Sequence, residues 1–347
     1  MKFLLLFILG LQGLHNAGYR GEGMTIAVID CGFFGADSAA FFPQEQIVGA
    51  YDLVEDSLRE YGMFESPNDN HGTLCLSTML YRSESFIGTA PDADYILIRT
   101  EELANEHRRE VDRLARAINL ADSLGADIIT ISLGYNRMDD MHTAFTLDEL
   151  DGTSTASRAA TNVAGHNRML CIAAGNDGSR LDWGRVTIPG DADSVLTVGA
   201  CTADSVRSPF SGTGPTADGR LKPDVVAPGS NVTIFDPSLG STREGSGTSF
   251  ATPEMAGMVA CLWQALPHLN AMQLRQLILQ SAHQHNNPDN QLGYGIPNAW
   301  TAYQSAHTTT AVQSARLPLQ TEKILYRGRL YIVRNGRWYD LNGRRVR

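Results

Sequence analysis

Thr25-Ile26-Ala27-Val28-Ile29-Asp30 is an apolar run that ends in a carboxylate. A run of this length with no polar alternation reads as a strand buried on both faces, the kind found inside parallel sheets. Similar runs recur at 47–50, 95–98, 127–131, 169–174 and 195–199. Between two of them, Val111, Leu114, Ile118 and Ala121 fall on one face at helical spacing. Alternating strand and helix patterns predict an α/β fold, with a three-layer, doubly wound, mostly parallel sheet. Sites in such sheets lie beyond the C-terminal ends of the strands. Asp30, Ser132 and Asn176 each stand at or just past such an end.

Three more segments carry chemistry-bearing residues at predicted element ends. Asn70-His71-Gly72-Thr73 opens an apolar helix-like stretch (Leu74, Leu76, Met79, Leu80). Ala173-Ala174-Gly175-Asn176-Asp177-Gly178 closes a strand-like run with a side-chain amide. Gly245-Ser246-Gly247-Thr248-Ser249-Phe250-Ala251-Thr252-Pro253-Glu254-Met255-Ala256-Gly257 places a serine before a second apolar helix. A serine there meets unpaired amides and the positive end of the helix dipole, which favour developing negative charge. Each residue also has an ordinary reading: Asp30 as a strand-end cap, His71 as a structural histidine, Asn176 as a turn former, Ser249 as part of a helix cap. Together, an acid, an imidazole, an amide donor and a hydroxyl are the parts that acyl transfer requires.

These four segments, in the order Asp, His, Asn, Ser, resemble the subtilisin-like serine peptidases, whose Asp–His–Ser triad order is known from subtilisin. Ser132-Leu133-Gly134 is similar to the family's substrate-binding strand and Gly88-Thr89-Ala90-Pro91 to its link into the next strand. Phe210–Pro215 and Lys222–Gly229 resemble the stretches before the serine loop, and Gly293–Pro297 the closing turn. The likeness covers roughly residues 13–305. It implies a serine endopeptidase acting on proteins or peptides, with Asp30, His71 and Ser249 as triad. Asn176 would be the oxyanion donor, and Ser132, Leu133 and Gly134 would pair with an extended substrate. Neither metal nor organic cofactor is required by that chemistry. The family often holds structural calcium in oxygen-rich loops, which leaves the acids Asp139, Asp140, Asp148, Glu149 and Asp151 as candidates beside a plain reading as solvated turns. The rival from another class is a catalytically silent relative serving as a surface binding module. An α/β-hydrolase is disfavoured by the triad order and by the missing Gly-x-Ser-x-Gly elbow.

At 347 residues the chain has room for one large domain and an appendage. Its formal charge of −10 argues against nucleic acid as a partner. Lys323–Arg347 holds eight Lys/Arg against one acid, which leaves −17 on the rest. Five scattered cysteines without CxxC spacing make zinc and a dense disulfide framework poor readings; small buried apolar residues are the better one.

Residues 1–14 have the charged start and short apolar run (Phe3–Leu9) of a secretory signal, with a packed N-terminal helix as the alternative. No stretch for a folding propeptide separates this run from the peptidase-like domain, placed at 15–306. Residues 307–322 read as a linker, and 323–347 as a small β-meander with turn signals at Arg327-Gly328, Asn335-Gly336 and Asn342-Gly343. The meander resembles the C-terminal tails that sort proteins through the type IX secretion route. The expected setting is therefore secreted or cell-surface, with secretion machinery as a possible partner; oligomeric state is left open.

Overall fold

The computed structural model describes all residues except 1–7, 39–40, 55–62, 85, 103–105, 316–320, 327–328, 335–336 and 340–347. It forms two compact units, Met1–Tyr303 and Gln304–Arg347.

The larger unit is built on one seven-stranded sheet. Strands β1 (Thr25–Asp30), β2 (Ile47–Asp52), β3 (Asp94–Arg99), β4 (Ile128–Ile131), β5 (Met169–Ala173), β6 (Leu196–Cys201) and β7 (Val225–Pro228) lie in the order β2-β3-β1-β4-β5-β6-β7. Every neighbouring pair is parallel. All residues of β4, β5, β6 and β7 are buried, which accounts for runs without alternation. The chain order reverses at β1, which has β3 on one side and β4 on the other. Beyond the C-terminal ends of β1 and β4 there is therefore a crevice, and Asp30 and Ser132 stand at its two lips.

Helices α1 (Leu11–Asn16), α2 (His71–Leu80), α3 (Arg108–Ser123), α4 (Thr155–Ala164), α5 (Thr248–Ala265), α6 (Ala271–Ser281) and α7 (Ala299–Ala315) complete the set among the described residues. On one sheet face, Val111, Leu114, Ile118 and Ala121 of α3 and Ala156, Ala160 and Val163 of α4 pack on Ile29, Ile129, Ile131 and Ile172. Burying a branched aliphatic side chain contributes about 1.5–3 kcal/mol, so this spacing holds the helices to the sheet. On the other side, α5 lies against β4 to β7 and against α1 and α2. The result is the predicted three-layer arrangement.

Several elements differ from expectation. Helix α4 lies within the polar stretch 135–165; its buried face is mostly alanine, too weak a hydropathic signal to stand out, although Ser154 caps it by accepting from the amide of Ser157. Strand β7 and the antiparallel hairpin of β8 (Val232–Asp236) with β9 (Ser241–Gly245) were not expected as strands. The expected linker 307–322 is helical as far as Ala315, since Thr and Ala interrupt a helix far less than Gly or Pro, and strand resumes at Thr321. Leu9, Leu11 and Leu14 are fully buried, Leu9 O accepts from the amide of Ala299, and the His15 ring bonds Thr89 O at 2.9 Å. Leu11–Asn16 is thus a packed helix of the body, whereas Phe3–Phe7 of the apolar start lies outside the described residues.

The smaller unit contains β10 (Thr321–Tyr326), β11 (Arg329–Arg334) and β12 (Arg337–Tyr339), a three-stranded antiparallel meander. The expected turn pairs 327–328, 335–336 and 342–343 fall outside the described residues.

Candidate active site

Strand β1 delivers Asp30 at its last position, with no exposure. Oδ1 accepts from the Cys31 amide at 2.8 Å and bonds His71 Nδ1 at 2.6 Å; Oδ2 is buried without a partner among the described residues. His71 is the first residue of α2, carried close to β1 because residue 72 is glycine. A Cβ there would come 2.5 Å from Gly32 O, which instead accepts the Gly72 amide at 2.9 Å.

Ser249 is the second residue of α5 and 8% exposed. Its own N–H belongs to the first turn and has no intrahelical acceptor. Pro253 has no N–H for the carbonyl four residues earlier, which is that of Ser249. Two side chains take that carbonyl instead: Ser132 Oγ donates at 2.9 Å and Cys75 Sγ at 3.2 Å. The proline thus disturbs the first turn, as expected, and the disturbance becomes an anchor. The Ser249 hydroxyl donates to Ser132 O at 3.3 Å and not to His71, so a rotation about Cα–Cβ is needed before the imidazole can accept it. Resting sites commonly show such looser geometry before substrate arrives.

Asn176 follows β5 by three residues. Its Oδ1 accepts from both the amide (2.9 Å) and the hydroxyl (3.0 Å) of Thr248. That fixes the amide's orientation and leaves Nδ2 as a donor without a partner among the described residues, beside the start of α5. Ser132-Leu133-Gly134 continues β4 in non-regular form. The backbone groups of Leu133 and Gly134 have no partner among the described residues, so they can pair with an added strand. Residue 134 must be small, since a Cβ would come 2.1 Å from Thr187 Oγ1. His71, Ser132, Leu133, Gly134, Asn176 and Ser249 all line one cleft of about 570 Å³, with Asp30 buried beneath the imidazole.

Burial works against protonation of His71, but 34% of its side chain is exposed. The Asp30 carboxylate outweighs the burial and pushes the imidazole well above its usual range. Cys31 and Cys75 both touch this region. Burial pushes Cys31 up to about 11 and raises Cys75 as well, so both remain neutral thiols near pH 7 and neither is an activated nucleophile. All five cysteines are free and buried.

Asp30, His71 and Cys75 form the one group of metal-competent side chains among the described residues, and His71 Nδ1 is already committed to Asp30. The loop acids considered for calcium do not converge. Asp140 accepts from the amide of His142, Glu149 pairs with Arg108, and Asp151 accepts from Thr153. Sequence reasoning did not single out Thr248, which orients Asn176, or Glu101, which lines the cleft. Glu101 lies two residues past β3, just beyond the strand end that pairs with Asp30, and that signal was available.

The profile of the subtilase family matches residues 21–295. The chain is 27% identical over 311 residues to serine protease AprX of Bacillus subtilis (strain 168), covering 80% of this chain and 66% of that protein. It is 26% identical over 267 residues to subtilisin DY of Bacillus licheniformis, covering 76% and 85% respectively. Among solved structures, MycP1 from Mycobacterium smegmatis aligns with a TM-score of 0.65 at 25% identity, over 86% of this chain and 84% of that one.

Proposed function

The chain belongs to the subtilase family of serine-type endopeptidases, and we propose that it hydrolyses peptide bonds with Ser249 as nucleophile, His71 as general base and acid, and Asp30 as the residue that orients the imidazole. The 2.6 Å bond between Asp30 Oδ1 and His71 Nδ1, in the cleft that holds Ser249 at a helix start, carries this assignment. With Nδ1 held by Asp30, Nε2 is the nitrogen left to accept the Ser249 proton as Oγ attacks the carbonyl carbon. Charge moves onto the carbonyl oxygen, where Asn176 Nδ2 and the Ser249 amide can donate. The tetrahedral intermediate collapses as His71 returns the proton to the leaving amine. Water, activated in the same way, then cleaves the acyl-enzyme and restores the hydroxyl. The unpaired backbone of Leu133 and Gly134 supports an extended protein or peptide substrate laid alongside β4.

A fluorophosphonate probe tests the assignment. An adduct on Ser249 in the wild type, absent in Ser249→Ala and accompanied by loss of casein hydrolysis, is expected. A well-folded wild type that takes no label and cleaves nothing refutes it in favour of a silent binding module. Action outside the cell, with the basic C-terminal strands read by a secretion machinery, belongs to the same proposal. The three-stranded basic meander supports it. No helix among the described residues is long and apolar enough to cross a membrane. Fractionation of cells producing the chain with and without residues 323–347 checks this part: the full chain is expected outside the cell, and retention in the cytoplasm counts against it.

A further inference from the structure

The cleft's charge is one-sided. Glu101, Glu102, Glu106, Asp139 and Asp177 line it together with the proposed catalytic groups, and no Lys or Arg does among the described residues. Glu102 is neutralised from behind by Arg113 at 2.8 Å and Arg109 at 3.1 Å, and Asp177 has Arg180 at 3.5 Å. Glu101, Glu106 and Asp139 have no cationic partner among the described residues. Glu101 is the unusual one, only 8% exposed and yet part of the cleft wall. Tyr135 Oη donates to its Oε1 at 2.5 Å and Thr100 Oγ1 to the same oxygen at 3.0 Å. Oε2 has no hydrogen-bond partner among the described residues and is the oxygen left to the cleft.

A carboxylate held in this way is costly unless a cation completes it. Resting on the peptidase reading above, we infer that the cleft selects substrates carrying a lysine or arginine side chain, with Glu101 as the specificity-determining residue and Glu106 and Asp139 drawing the cation in. Burial, aided by Glu110 and Glu106 and opposed by the bonds from Tyr135 and Thr100, pushes the Glu101 carboxyl up to about 8. The incoming cation then supplies the charge that favours ionisation.

The test moves a single arginine, norleucine or glutamate along an otherwise neutral fluorogenic peptide and reads kcat/KM at each position. Arginine should exceed norleucine by roughly 10- to 100-fold at one position, the range of a buried charge-assisted hydrogen bond, and glutamate there should be disfavoured. The preference should shrink with added salt in the wild type and collapse towards unity in Glu101→Gln. An arginine-to-norleucine ratio near one at every position of the wild type overturns the inference, as does a ratio untouched in Glu101→Gln. Absence of any cleavage together with absence of fluorophosphonate labelling points elsewhere, to failure of the peptidase reading itself.

Discussion

Glu254 gives the most quantitative forecast. It lies inside α5, five residues after the proposed nucleophile, with no exposure and with neither carboxyl oxygen hydrogen-bonded among the described residues. Burial holds its pKa well above 4.5, so the folded protein keeps this acid protonated at pH values where the unfolded chain releases the proton. Folding then takes up a proton, and stability is lost as pH rises from the unfolded value towards the folded one. The loss cannot exceed about 1.4 kcal/mol per pH unit, the limit for one proton. Two substitutions separate the causes. Glu254→Gln removes the titration but keeps two unpaired polar atoms, so it should abolish this share of the pH dependence. Glu254→Met removes the polar atoms too and should add about 1–3 kcal/mol, less a packing cost under about 1.5 kcal/mol for the altered shape. Urea unfolding at both pH values, in a Ser249→Ala background that prevents self-digestion, measures both effects. A stability difference between the Glu254→Gln variant and its parent that stays constant from pH 5 to pH 7 would refute the reasoning.

Other outcomes follow from the site. Because Asp30 raises the pKa of His71, the base is neutral only at higher pH; the acidic limb of kcat/KM should fall above the ordinary imidazole value of about 6.5, and Asp30→Asn should lower kcat by about 10⁴. A limb below that value in initial-rate profiles would contradict the geometry. Asn176→Ala should cost about 2.7–4 kcal/mol in transition-state binding, seen in kcat with KM little changed. Gly134→Ala should lower kcat/KM by roughly tenfold or more through collision with Thr187 Oγ1, and Thr187→Ala should recover part of it by removing that oxygen.

How much of this was legible beforehand depends on how strongly each segment advertises itself. Six of the seven sheet strands were visible because β1 to β6 are apolar runs long enough to exceed their flanks. Val225–Pro228 is short, ends in proline and merges with a motif, so its pairing to β6 needed the neighbouring strand. The acid, imidazole, amide and hydroxyl could be named because each sits at an element end with small residues around it. What holds them was not visible: Thr248 against Asn176, and Ser132 and Cys75 against the Ser249 carbonyl, are contacts across 72, 117 and 174 positions. Periodicity says nothing about such pairings. Cys75 illustrates the limit, since it behaves as the buried apolar residue it was read to be and also donates to the Ser249 carbonyl.

The vacancy that Pro253 leaves in the first turn of α5 has a further consequence. Two distant segments close it: the strand edge offered to substrate, through Ser132, and the helix that bears His71, through Cys75. A half-assembled chain in which either segment is undocked therefore loses its grip on the serine as well. Three separate stretches of chain are thereby tied at one carbonyl, so the position of the serine is set jointly by the sheet and by the helix of the imidazole.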